Sequence, residues 1–209
     1  MKYLDLVLFI VVTFSLIGCN ELIKRKFSLP VYVTRKMTHF GGAFIAYASS
    51  FFLTKSEIII LCGVTALVLF CTRGTNIFSS IQSVKRSTLG EVFFPLGVIL
   101  CALFFLPQDI TFFQYGILIM GISDGLAGLV GEWIGTHYFK LFDKRKSIEG
   151  TSTFFITSLF LTFLFSPHLS YGVFLIPLIL TCTEFFLEYG LDNLVLPITA
   201  AYLIGFVVG

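Results

Sequence analysis

Residues 121–151 read GISDGLAGLVGEWIGTHYFKLFDKRKSIEGT, and this stretch decides what kind of molecule the chain forms. Its first half is apolar and glycine-rich, as in a helix packed inside a bilayer, yet it carries Asp124. A carboxylate in hydrocarbon costs roughly 2.5–3.5 kcal/mol on insertion scales, so an Asp in such a segment faces a cavity, a partner or an ion. The second half is a basic loop ending Lys144-Arg145-Lys146-Ser147-Ile148-Glu149-Gly150-Thr151, which sets cations, hydroxyls and a glycine at the start of the next apolar run. Ammonium groups and helix N-terminal amides bind polyphosphate.

Outward from this stretch, apolar blocks and basic loops alternate along the whole chain. Of 209 residues 56% are hydrophobic and 12% charged, which marks a polytopic membrane protein rather than a soluble core. Apolar windows place spans at 3–20, 38–54, 57–72, 91–106, 111–132, 152–166, 171–188 and 193–208. The expected fold is all-α: a single integral membrane domain, residues 1–209, with about eight transmembrane helices. Lys24, Arg25, Lys26, Arg35, Lys36, Arg73, Lys85, Arg86, Lys140, Lys144, Arg145 and Lys146 all follow odd-numbered spans, whereas Lys2 and Lys55 lie on the other side. The positive-inside rule makes the basic loops cytoplasmic and both termini external. Leu16-Ile17-Gly18-Cys19 resembles a lipoprotein cleavage box, but cleavage there would export Lys24 to Lys36, so residues 3–20 are read as a first transmembrane helix.

Cys19, Cys62, Cys71, Cys101 and Cys182 are scattered through apolar segments with no close pair, as small packing residues are. His39, His137 and His168 lack metal-ligand spacing, and the 26 phenylalanines fit lipid-facing or interhelical positions. No G-x-x-x-x-G-K-[ST] segment occurs, so any nucleotide site is assembled between helices.

The polar residues that remain gather at the cytoplasmic helix ends. Residues 21–36 read as a basic connection interrupted by Pro30, and Arg35 and His39 share a helix face at the entrance to the second span, before the pair Gly41-Gly42. Such a pair lets another backbone approach closely. Arg86-Ser87-Thr88-Leu89-Gly90-Glu91 opens the fourth span, with Glu91 either a ligand or a carboxylate favoured by the helix dipole. Small residues at 121, 125, 128, 131 and 135 form a broad packing face around Asp124. A hard divalent cation bridging phosphates explains a carboxylate on that face, since magnesium takes one or two protein carboxylates and completes its shell with water and phosphate. Glu132, Glu91, Glu184, Glu188 and Asp192 are candidates for a second one. Glu184 and Glu188 stand at i and i+4 in the seventh span, followed by Asp192-Asn193 as ligands or as a helix cap.

Asp124-x-x-Ala127-x-x-x-Gly131-x-x-x-Gly135 followed by Lys146-Ser147-x-Glu149-Gly150 resembles the CTP-binding region of the CTP-dependent lipid kinases: dolichol kinase, phytol kinase and CTP-dependent diacylglycerol kinase, with phosphatidate cytidylyltransferase more distant. The resemblance extends to Arg35-Lys36-x-x-His39, Gly90-Glu91-x-x-Phe94-Pro95-Leu96-Gly97 and Glu188-x-Gly190-x-Asp192-Asn193-x-x-x-Pro197. It implies phosphorylation of a membrane lipid alcohol by CTP with magnesium, in a bacterial inner membrane with the site facing the cytoplasm. Asp124 and Glu188 would hold the metal, and Lys146 would bind phosphate. Arg35, His39, Arg86, Gly131, Gly135, Arg145, Ser147, Glu149, Gly150, Thr151 and Asn193 would form the nucleotide site. Asp192 or Glu91 would take the alcohol proton or position a second cation. The partners expected are CTP, the lipid alcohol and the bilayer; nucleic acid is not expected, and a homo-oligomer stays open. Two other readings use the same residues: cytidylyl transfer to a lipid phosphate, and an ion-coupled transporter with Asp124, Glu184 and Glu188 as relay sites.

Overall fold

The computed structural model describes residues 3–82, 88–141, 144–166 and 168–208, and these form a helical bundle with one small hairpin. In chain order the helices are α1 Leu4–Phe27, α2 Val31–Phe52, α3 Lys55–Cys71, α4 Ser79–Gln82, α5 Gly90–Phe105, α6 Ile110–Leu118, α7 Asp124–Trp133, α8 Ile148–Phe165, α9 Tyr171–Phe186 and α10 Asp192–Val208. A π-helical turn, Ile119–Ser123, joins α6 to α7. An antiparallel ribbon, β1 Tyr138–Leu141 and β2 Lys144–Ser147, joins α7 to α8.

Helix ends follow local chemistry. Ser28 in the left-handed region and Pro30 stop α1 and start α2, so the basic connection expected over 21–36 shrinks to a few residues, and Arg35 and His39 lie inside a helix. Thr54 and Glu57 form a capping box on α3, and the Asp109 side chain accepts from Thr111 N at 2.7 Å to open α6. Hydroxyls inside apolar helices bond back to the preceding turn, as Thr13 does to Phe9 O and Thr65 to Leu61 O, each at 2.8 Å. In hydrocarbon every such group must find a partner within the protein.

Among the described residues three stretches are long and apolar enough to cross a membrane: Leu4–Phe27, Ile110–Trp133 and Ile148–Phe165. At 24 residues α1 reaches about 36 Å, whereas the 16 residues of α5 reach about 24 Å, short of a hydrocarbon core of ~30 Å. All eight apolar segments are helical, but α3, α5, α9 and α10 have only 16 or 17 residues, so length and composition support three crossings rather than the eight expected. The protein is a membrane protein by this composition, and its outer surface agrees: Phe44, Phe51, Phe70, Phe160 and Phe206 are more than half exposed.

Ile110–Trp133 is the central element, with 61% of its apolar window buried against 22% for Leu4–Phe27 and 28% for Ile148–Phe165. One apolar core joins it to α2, α3 and α5, and another to α8, α9 and α10. The basic connections converge at one end of the bundle. Lys24 donates to Ser79 Oγ at 2.8 Å, Arg73 to Glu91 at 3.0 Å, and Leu89 N to Tyr189 O at 3.3 Å.

Candidate functional site

The small-residue face around Asp124 is a track for α2. A Cβ at Gly121 would collide with Ala43; one at Gly125 would lie 2.6 Å from Phe40, and one at Gly128 2.5 Å from the Lys36 stem. Positions 36, 40 and 43 of α2 thus run antiparallel along 128, 125 and 121. The pair Gly41-Gly42 admits side chains of Leu16 and Phe94 rather than a backbone.

This packing brings the Lys36 ammonium and the His39 ring nitrogen onto Asp124. Lys36 Nζ lies 3.2 Å from Asp124 Oδ2 and 3.1 Å from its carbonyl, and His39 Nε2 lies 3.5 Å from the same Oδ2. His39 Nε2 also bonds Met120 O at 2.8 Å; a carbonyl only accepts, so this nitrogen carries the proton. Met120 belongs to the π-helical turn, and such turns re-aim the groups that follow them. The turn delivers Asp124 as the first residue of α7, buried at 8% exposure.

Opposite Asp124 stand the ribbon and the start of α8. Ser147 caps α8 by accepting from Gly150 N at 3.1 Å. A Cβ at Gly150 would lie 2.8 Å from Ala127 O and one at Gly131 2.9 Å from Ser147 Oγ, so these glycines let α7 and α8 touch. Lys146 is held by Glu184, with Nζ 2.6 Å from Oε1 and a second bond to the Glu184 carbonyl. Arg145 lies over the Tyr138 ring at 4.1 Å, and Tyr138 OH donates to Gly131 O at 3.2 Å.

Between these walls is a polar cleft of ≈300 Å³. It brings together Asp124, Gly131, Arg145, Lys146, Ser147, Gly150 and Thr151, all expected from the sequence. It also presents Glu132, Tyr138 and Glu184. Its three carboxylates outnumber the cations Arg145 and Lys146, so a bare polyphosphate entering it needs further positive charge. Hard carboxylate oxygens facing such a cleft suit magnesium carried in on phosphate. Among the described residues no cluster of three or more His, Cys, Asp or Glu forms a protein-only metal cage.

Other expected residues lie elsewhere. Gly135 is just beyond α7, where a Cβ would meet Ser147 and Tyr138 at 2.9 Å. Glu149 turns outward and clasps the loop, accepting from Thr136 Oγ1 at 2.7 Å and facing His137 Nδ1 at 2.9 Å. Glu188 does not share a helix face with Glu184, because α9 ends at Phe186; it lines neither cavity, and its Oε1 is buried without a bond among the described residues. Asp192 opens α10, accepts from Asn193 N at 2.9 Å, and lies within electrostatic reach of His39 and Glu184. Arg86 lies outside the described residues.

Arg35, His39, Glu91 and Asn193 line a second, apolar cavity of ≈90 Å³ on the far side of His39. Glu91 is buried there and ion-paired with Arg73 at 3.0 Å, and Arg35 reaches Thr88 Oγ1 at 3.3 Å. Gly97 admits the start of α10, since a Cβ there would collide with the Asn193 carbonyl. Arg73 and Tyr138 are not among the residues the sequence singles out for the site, and Lys36 stands there only inside the Arg35-Lys36-x-x-His39 motif, without a role of its own. Lys36 had a usable signal, its i,i+3 spacing to His39, but reads as one more topology-setting cation.

Over 191 residues, 87% of this chain and 82% of the relative, the sequence is 32% identical to the phytol kinase of Synechocystis sp.. It is 34% identical over 137 residues to an uncharacterised protein of Rickettsia prowazekii, covering 60% of this chain and 64% of that one. No protein-family model and no solved structure matches the chain.

Proposed function

This chain belongs to the lipid kinase family that includes the Synechocystis phytol kinase, and from that premise we propose that it transfers the γ-phosphoryl group of CTP to the hydroxyl of a membrane lipid alcohol. The observation that carries this reading is the polar cleft, in which Arg145, Lys146 and the start of α8 face Asp124. Cations, helix N-terminal amides and a hard carboxylate around one cavity are what a nucleotide polyphosphate with its magnesium requires. Phytol is the first acceptor to try, because the relative is a phytol kinase; a polyprenol is the second.

In the proposed reaction the alcohol oxygen bonds to the γ-phosphorus as the bond from that phosphorus to the β–γ bridging oxygen breaks. CDP leaves with the bonding electrons. Arg145 and Lys146 bind the phosphates and stabilise charge on the transferring group. Asp124, held by Lys36 and His39, would hold magnesium, which supplies charge neutralisation when bound. Asp192 takes the alcohol proton; Glu91 is less suited, since its carboxylate is committed to Arg73. With the basic connections facing the cytoplasm, CTP arrives from solution and the alcohol arrives laterally within the leaflet. We place the chain in a bacterial inner membrane on this reading, with all eight apolar segments spanning or entering the bilayer.

The test is turnover by the full chain in lipid vesicles with magnesium, lipid alcohols, phosphatidate, and CTP labelled at the α or the γ phosphate. Label from γ in the lipid with release of CDP is expected. Label from α in the lipid with pyrophosphate would replace the kinase reading by cytidylyl transfer. Asp124→Ala and Lys146→Ala should each abolish turnover while the protein still accumulates in the membrane, and ATP in place of CTP tests the nucleotide.

A further inference from the structure

The apolar cavity behind His39 has no role in the chemistry so far described. It lies among α1, α2, α3, α5 and the start of α10, walled by groups such as Leu16, Ala46, Cys62 and Val98. Its threonines at 13, 38 and 65 bond back to their own helices. The polar groups not so used, Arg35, His39, Glu91 and Asn193, come from α2, α5 and α10 near the end of the bundle where the cleft lies.

Asn193 is the informative one. It is 6% exposed, and its Nδ2 donates to Gly90 O at 3.0 Å, which fixes which side of the amide is oxygen. That oxygen, Oδ1, is buried with no hydrogen-bond partner among the described residues. Buried acceptors are rarely left so, and a carbonyl oxygen can be satisfied only by a donor. The second informative group is His39, which lines this cavity while its Nε2 sits 3.5 Å from Asp124 Oδ2 on the wall of the polar cleft. His39 thus links the apolar cavity to Asp124, a carboxylate that lines the polar cleft.

We propose that the apolar cavity is the acceptor site: it receives the carbons next to the hydroxyl of the lipid alcohol, and Asn193 Oδ1 accepts the hydrogen bond from that hydroxyl as it binds, before the same proton turns to Asp192 in the transfer step. An alcohol is the ligand that matches both halves of the cavity, since it brings one donor and an otherwise apolar chain. Held at Asn193, the hydroxyl shares the cavity with His39, whose Nε2 lies 3.5 Å from Asp124 Oδ2. Asn193 is then a positioning residue for the acceptor rather than part of the nucleotide site. This inference rests on the kinase reading.

The test is photo-crosslinking of the full chain in lipid nanodiscs by a C20 isoprenoid alcohol carrying a diazirine near its hydroxyl end, with labelled peptides located by mass spectrometry. Labelling of Ala46, Cys62 or Val98 is expected, competed at least tenfold better by the unlabelled alcohol than by the corresponding hydrocarbon. Asn193→Ala should bring that discrimination within twofold, and Ala46→Phe should remove the competed label. Label confined to lipid-facing residues such as Phe44 and Phe160, without competition, would overturn the proposal on the unmodified protein, whatever the variants do. Crosslinking needs no turnover. Specific labelling without phosphoryl transfer would therefore remove the kinase reading and keep the cavity, and transfer without cavity labelling would do the reverse.

Discussion

Asp124 is the residue on which the site turns, and Lys36 is what makes its charge tolerable. The Lys36 and Asp124 side chains are 22% and 12% exposed, so the pair is screened far less than a surface bridge. Lys36→Met would remove the ammonium group 3.2 Å from the carboxylate. We expect kcat/KM for CTP-dependent turnover to fall about 100-fold, or about 2.7 kcal/mol of transition-state stabilisation. Helix content by circular dichroism should be unchanged, and Lys26→Met, at an exposed cation near the end of α1, should have no effect. Turnover within threefold of the parent in Lys36→Met would remove Lys36 from the site. Asp124 was legible in the sequence because a carboxylate in an apolar run is an energetic anomaly wherever it occurs. Lys146, Gly131 and Gly150 were legible through their spacing to it. Lys36 was not, because it stands beside Arg35 in a basic stretch, and only the start of α2 at Val31 determines which of the two turns toward α7.

At the scale of elements, the site depends on α7 and α8 approaching until Gly131 and Gly150 meet. Gly150→Ala would put a methyl 2.8 Å from the Ala127 carbonyl, a backbone atom that cannot rotate away. Overpacking of this kind costs typically about 1–3 kcal/mol. The expected outcome is a lower midpoint of thermal unfolding in detergent together with a raised KM for CTP. An unchanged midpoint and KM would show that the contact of α7 with α8 does not shape the cleft. The helices themselves were visible as apolar blocks, and the cap at Ser147 as a hydroxyl preceding one. The π-helical turn was not visible, because what favours it is tertiary: His39 takes the Met120 carbonyl, and Gly121 sits against Ala43. The ribbon was read as loop since its strands are four residues each, too short for alternation to stand out from the basic charge. The end of α9 was misplaced for a similar reason. The turn that follows it needs positive φ at Tyr189 and Gly190, and only the glycine announces that.

For the whole molecule, the arrangement of charge makes a topological claim that can be checked without any knowledge of the reaction. Arg35, Lys36, Arg73, Arg145 and Lys146 come from three separate stretches of chain, yet their partners Thr88, Asp124, Glu91, Tyr138 and Glu184 lie at one end of the bundle. The connection between α8 and α9, with Leu169 at 73% exposure, carries no Lys or Arg. If the positive-inside rule governs, the first end faces the cytoplasm and Leu169 faces out. The exposed native thiols are Cys19, Cys71 and Cys182, so the measurement starts from a variant with these replaced by serine. Single cysteines are then introduced by Lys140→Cys in the ribbon and Leu169→Cys in the outer connection. In intact cells a membrane-impermeant maleimide should label Leu169→Cys, and should label Lys140→Cys only after the membrane is opened. The opposite pattern would put the polar cleft on the far side of the bilayer from cytoplasmic CTP, and no arrangement of Asp124 and Lys146 within the cleft would then rescue the proposed reaction. Labelling of both in intact cells would mean that the connection after α7 and the one after α8 share a side. In that case α8, 18 residues long and apolar enough to cross, would have to lie along the membrane instead.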